Sequence, residues 1–181
     1  MKMRLLQHLF LVLLYQIIQT KCCTKVTFVD TLIKIQKSGS IDYKDMLTAK
    51  ITGCIVPEII TEQLGNVVIK GIECYNQSVP TLHESAVSNL PELDHLVISY
   101  SKIKRVKQKP FNNLPKLTSL TLSYNEIESI DNNAFINLDA LVVLDLSGNK
   151  IAFLDPGIFS RLPEITRIYL IRNELEVFEP E

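Results

Sequence analysis

LDHLVISYSKI (93–103), LTSLTLSYNEI (117–127), LVVLDLSGNKI (141–151) and ITRIYLIRNEL (165–175) are four versions of one phrase, beginning at Leu93, Leu117, Leu141 and Ile165. The step between them is a constant 24 residues. Self-similarity at a fixed period of this size marks an architecture of stacked units, and it decides the fold before local propensities are consulted.

Each phrase has a physical content. Leu117, Leu120 and Leu122 hold its first, fourth and sixth positions; Leu141, Leu144 and Leu146 match them, as do Ile165, Ile168 and Leu170. The last two of each set alternate with polar residues, which is strand periodicity with one face in and one face out. Position nine is Asn125, Asn149 and Asn173. An interior amide left bare would cost roughly 1–3 kcal/mol, so backbone groups of its own turn and of the adjacent coil are the expected partners. Farther on, Ile127, Ile130, Phe135 and Leu138 turn back into the core. Ile151, Leu154, Phe159 and Leu162 repeat that set, and Ile103, Val106, Phe111 and Leu114 anticipate it. Each copy thus reads as a short strand, a turn and a looser return. No copy buries its own apolar edge, so stacking makes the core.

The pattern, LxxLxLxxNxLxxLxxxxFxxLxx, resembles the leucine-rich repeat family in its 24-residue extracellular subtype, as in short insect-type, Toll-like or small-proteoglycan-like proteins. Residues 117–162 fit it almost without fault, and the resemblance extends over 69–178. It implies an α/β solenoid, a curved horseshoe with a concave parallel β-sheet and an irregular or short-helical convex side. About five repeats fill 69–181, the last incomplete. The first, from Ile69, is degenerate: Ile69, Ile72, Cys74, Val79, Leu82, Val87 and Leu90 take the apolar positions, and Gln77 replaces Asn. In the second, Ser101 replaces it.

Residues 1–20 (MKMRLLQHLFLVLLYQIIQT) read as a secretory signal peptide, with Lys2 and Arg4 ahead of the apolar run Leu9–Leu14. That run is short of the ~20 apolar residues that span a bilayer, so the expected product is secreted, extracellular and without stable membrane insertion. Cleavage after Thr20, Cys22 or Thr24 fits equally, which leaves the fate of Cys22 and Cys23 open. Cys54 and Cys74 survive in every case, and in an oxidising compartment they are expected to pair. Residues 21–68 form a non-repeat cap region, within which Thr31–Lys37 and Tyr43–Lys50 read as short helices. Asn76-Gln77-Ser78 is the one N-glycosylation sequon, with Asn76 as acceptor.

A net charge of −1 over 181 residues gives no general affinity for nucleic acid. No Gly-rich phosphate loop, no metal-ligand spacing and no nucleophile–base pair is found, so neither an enzyme nor a cofactor or metal is expected. What remains is surface. Outward positions fall into columns along the stack: Gly71, His95, Ser119, Val143 and Arg167 at position three; Glu73, Val97, Thr121, Asp145 and Tyr169 at five. Tyr75, Ser99, Ser123, Ser147 and Ile171 hold position seven; Asn76, Tyr100, Tyr124, Gly148 and Arg172 hold eight. The resemblance implies recognition of an extracellular protein or glycan on this face. Tyr100, Tyr124, Asp145, Arg167, Tyr169 and Arg172 are the candidate contacts, since Tyr and Arg most often anchor interfaces. A second candidate is the basic flank Lys102, Lys104, Arg105, Lys107 and Lys109, suited to sulfated glycan or an acidic protein.

Three functions follow: a secreted recognition module in innate immunity, adhesion or host interaction; a matrix or assembly component; or a shortened receptor-ectodomain-like decoy. The second draws on Ile168, Leu170, Leu175 and Phe178, expected to lie uncovered at the C-terminal repeat and to support homo-association.

Overall fold

The computed structural model describes residues 28–37, 46–53 and 67–176, with side chains over 68–176. It contains β1 (Phe28–Lys37), β2 (Met46–Gly53), β3 (Val67–Tyr75), β4 (Thr81–Leu82), β5 (Val87–Ser88) and β6 (His95–Ser99). There follow β7 (Arg105–Val106), β8 (Phe111–Asn112), β9 (Ser119–Thr121), β10 (Ser129–Ile130), β11 (Val143–Asp145) and β12 (Arg167–Tyr169).

The 24-residue period becomes the register of a parallel sheet. Gly71 pairs with His95, His95 with Ser119, Ser119 with Val143 and Val143 with Arg167, through β3, β6, β9, β11 and β12. The opposite side is made of turns and two-residue parallel ladders, β4–β7–β10 and β5–β8. No helix occurs among the described residues, so that side is irregular rather than short-helical.

At positions one, four and six, Leu117, Leu120 and Leu122 are fully buried, as are Leu141, Leu144 and Leu146. All seven apolar positions of the degenerate first copy are buried too. Phe111, Phe135 and Phe159 stack nearly parallel at 6.5 and 6.4 Å between centroids, forming an aromatic spine through three coils. Ala134 and Ile158, at a position with no sequence expectation, complete the core.

The amide ladder forms as its chemistry requires. Asn125 donates to the carbonyls of Ile98 (2.8 Å) and Leu122 (2.9 Å), and its Oδ1 accepts the N–H of Ser101 (2.7 Å). Asn149 donates to Leu122 and Leu146 and accepts from Ile127. Asn173 repeats the set with Leu146, Leu170 and Ile151. Every bond joins an amide to its own turn or the preceding coil. Where the amide is missing, Ser101 Oγ accepts the N–H of Gln77 (3.2 Å) and donates to the Ser99 carbonyl (2.9 Å).

The cap region corrects the sequence expectation. Residues 31–37 and 46–50, read as helical, belong to strands β1 and β2. β1 lies between β2 and β3 and is antiparallel to both, for example Ile33 to Ala49 and Ile33 to Ile72. Val29, Thr31, Ile33 and Ile35 recur every second residue, a β-branched run with strand rather than helix periodicity. The open edge of β3 needs hydrogen-bond partners, and this hairpin supplies them. The signal segment, Cys22, Cys23, Cys54 and Phe178 lie outside the described residues; Cys74 is buried.

Candidate recognition surface

The outward columns differ in what they expose. Position five is half-buried from Glu73 to Asp145 and opens at Tyr169. Position seven was expected to face outward, but Ser99 (3%) and Ser123 (6%) are buried. Their hydroxyls hydrogen-bond to each other at 3.3 Å, one coil apart. The column is exposed at its two ends, Tyr75 at 41% and Ile171 at 68%.

Position eight stands furthest out. Asn76, Tyr100, Tyr124, Gly148 and Arg172 all take left-handed backbone, with φ of 55°, 53°, 52°, 67° and 60°. Each marks the sharp bend where the chain leaves the sheet. Tyr124 N–H reaches the Ser147 carbonyl, and Gly148 N–H the Ile171 carbonyl, both at 2.8 Å, so the bend is pinned to the next coil. Glycine suits this conformation; a bulky L-residue there costs about 1–2 kcal/mol. Tyr100 and Tyr124 bear that cost and remain exposed, 53% and 42%. Their rings stack face to face, 4.9 Å between centroids and 2° from parallel. The Tyr124 ring also lies over Gly148, where an added Cβ would come within 2.8 Å of it.

Beside this stack is an open depression of about 380 Å³ lined by Tyr124, Asp145, Ser147, Tyr169, Ile171 and Arg172. It gathers four of the six candidate contacts. Tyr100 stands outside as the support of Tyr124, and Arg167 is exposed on β12 without lining the depression. Asp145 Oδ1 accepts the Ser147 N–H at 2.9 Å, which fixes the carboxylate on the rim. Ser147 and Ile171 were not among the candidates. An isoleucine following three serines in its column was the signal that could have found Ile171.

The basic flank is also presented on a fixed backbone. Lys102, Lys104, Arg105, Lys107 and Lys109 are all exposed, while Ile103 and Val106 between them are fully buried and β7 is paired on both sides. Lys104 and Lys150 bracket Glu126 at 3.9 and 3.8 Å. Elsewhere Glu92 lies between Lys116 (2.5 Å) and Lys70 (2.9 Å), on three successive turns of the stack. Hydrogen bonds from Lys116 and then Lys70 hold its carboxyl down to about 2. Asn76, the sequon acceptor, is exposed one coil from Tyr100.

The family profile described as "Leucine rich repeat" matches residues 91–151 and 140–181, together half of the chain. A search of curated proteins finds no match. Among solved structures, the crystal structure of a TLR13–ssRNA13 complex is 25% identical over 56% of this chain, with a TM-score of 0.53. The structure of the Drosophila Toll–Spatzle complex is 19% identical over 65% of it, with a TM-score of 0.56. The chain spans 15% of the length of each.

Proposed function

Because the chain belongs to the leucine-rich repeat family, we propose that it is a non-enzymatic recognition module that is secreted and binds an extracellular protein or glycan through its sheet face. The observation that carries this reading is the strained, exposed Tyr100–Tyr124 stack beside the depression formed by Asp145, Tyr169 and Arg172. Folding alone does not call for tyrosine there, since Gly148 makes the same bend without strain. One structural relative is seen with an RNA and the other with Spatzle. For this chain, near-zero net charge and a depression holding one carboxylate and one guanidinium favour a protein or glycan over a polyanion. Innate immunity, adhesion and host interaction are the settings such a module suits.

Affinity capture with the secreted full chain, followed by a double substitution, tests this. Tyr124→Ala with Tyr169→Ala is expected to preserve the fold and weaken partner binding by about 2 kcal/mol or more. Undiminished binding in that variant, with loss on changing Lys104, Arg105 and Lys107 to Glu, would move the site to the basic flank.

Self-association as a matrix or assembly component is the second reading. Ile168 and Leu170 are only half-buried, whereas Leu144 and Leu146, their equivalents one coil earlier, are fully buried. A sedimentation coefficient that rises with concentration would favour it.

A further inference from the structure

The aromatic ladder on the rim has a missing rung. Tyr100 and Tyr124 supply two parallel rings at consecutive coils; the next position in the column is Gly148 and the one after it Arg172. The glycine is where the second ring lies down, because a Cβ would sit 2.8 Å from it. No side chain therefore continues the ladder, and the depression of about 380 Å³ opens there. Its boundaries come from three coils: Tyr124 from one, Asp145 and Ser147 from the next, and Tyr169, Ile171 and Arg172 from the last.

The lining specifies a guest. One carboxylate and one guanidinium together favour a molecule without net charge. Tyr124 and Arg172 can both stack on a flat π-face, one by ring stacking and the other by cation–π contact. Ile171 and Tyr169 offer apolar walls. Asp145 accepts hydrogen bonds only; Oδ1 is engaged by Ser147 N–H, and no donor among the described residues reaches Oδ2. We infer that the missing rung is supplied by a protein partner: a tyrosine or tryptophan side chain stacked on Tyr124, with its O–H or N–H on Asp145 and Arg172 over its other face. This deepens the sheet-face reading above and rests on it.

Ligand-observed NMR on the secreted full chain tests the guest directly, with N-acetyl-tyrosinamide, N-acetyl-tryptophanamide, N-acetyl-phenylalaninamide and methyl glucoside as probes. The first two are expected to bind saturably and phenylalaninamide about fivefold more weakly, for want of the donor. Asp145→Asn keeps the oxygen that receives Ser147 N–H. It should abolish the preference for tyrosine over phenylalanine while leaving phenylalaninamide binding within about twofold. Equal binding of all three amides, or none, would overturn the inference. So would methyl glucoside binding in place of the amides, which would make the slot a sugar site. Partner binding that is lost in the Tyr124/Tyr169 double variant but not displaced by tyrosinamide keeps the sheet-face reading and removes the aromatic guest. Partner binding unchanged in that variant removes both.

Discussion

Tyr124 and Asn125 are adjacent in the chain and opposite in the fold. Asn125 is buried, its amide is spent on backbone groups, and the same residue recurs at 149 and 173 with the same bonds. Tyr124 is exposed, and its column reads Asn, Tyr, Tyr, Gly, Arg at an almost constant φ of 52–67°. The interior column constrains the side chain because the turn leaves donors and acceptors that a placed polar group must meet, an amide in three copies and the Ser101 hydroxyl in another. The rim column fixes the backbone and leaves the side chain open. Repetition therefore marks what the stack needs. Variation on an unvarying backbone marks where something other than folding selects the residue.

The contrast can be broken at graded cost. Leu146→Ala, which empties a fully buried site, is expected to destabilise by about 2–5 kcal/mol in chemical denaturation. Asn149→Ala strands the buried N–H of Ile127, while the carbonyls of Leu122 and Leu146 keep the amides of Asn125 and Asn173, and should cost about 1–3 kcal/mol. Ser123→Ala, which removes one hydroxyl of the buried serine pair, is expected to cost about 1 kcal/mol. Tyr124→Asn should change stability by no more than about 1 kcal/mol, because relief of left-handed strain offsets the lost ring stack. It should weaken partner binding all the same; a loss of stability matching that of Asn149→Ala would erase the distinction between the columns.

The smallest effect lies outside both columns. Glu92 has a folded-state pKa depressed from the ordinary 4.5 to about 2, so its contribution is present above 4.5 and is lost as pH falls toward 2. Melting curves of the parent and Glu92→Gln should differ most near neutral pH and low salt, and converge at the acid end. A gap that is the same at every pH would show that Lys116 and Lys70 do not act through the charge.

The repeat made most of this legible. From the degenerate first copy to the fourth, the strand positions with counterparts 24 residues away are buried as the period requires, and in the last copy they are half-buried. Two things escaped it. The hairpin of β1 and β2 has no counterpart, and Thr31–Lys37 alone did not say that an unpaired sheet edge was waiting for it. Position seven was assigned outward by strand alternation, but the strands end at Thr121 and Asp145. Ser123 lies beyond the end of β9, where the chain turns inward, whereas Ser99 is buried although it is the last residue of β6. At the site, residue types were readable and adjacency along columns was readable. The depression itself depended on how Tyr124 lies over Gly148, a matter of side-chain pose.

The hairpin also gives the stack a direction. Every neighbour from β3 to β12 runs the same way, so a duplicated 24-residue segment inserted among them would meet the polarity and spacing it needs on both sides. Ahead of β3 the polarity reverses, and a copied coil placed there would face an antiparallel edge. Lengthening by tandem duplication is therefore open on one side of β3 and closed on the other.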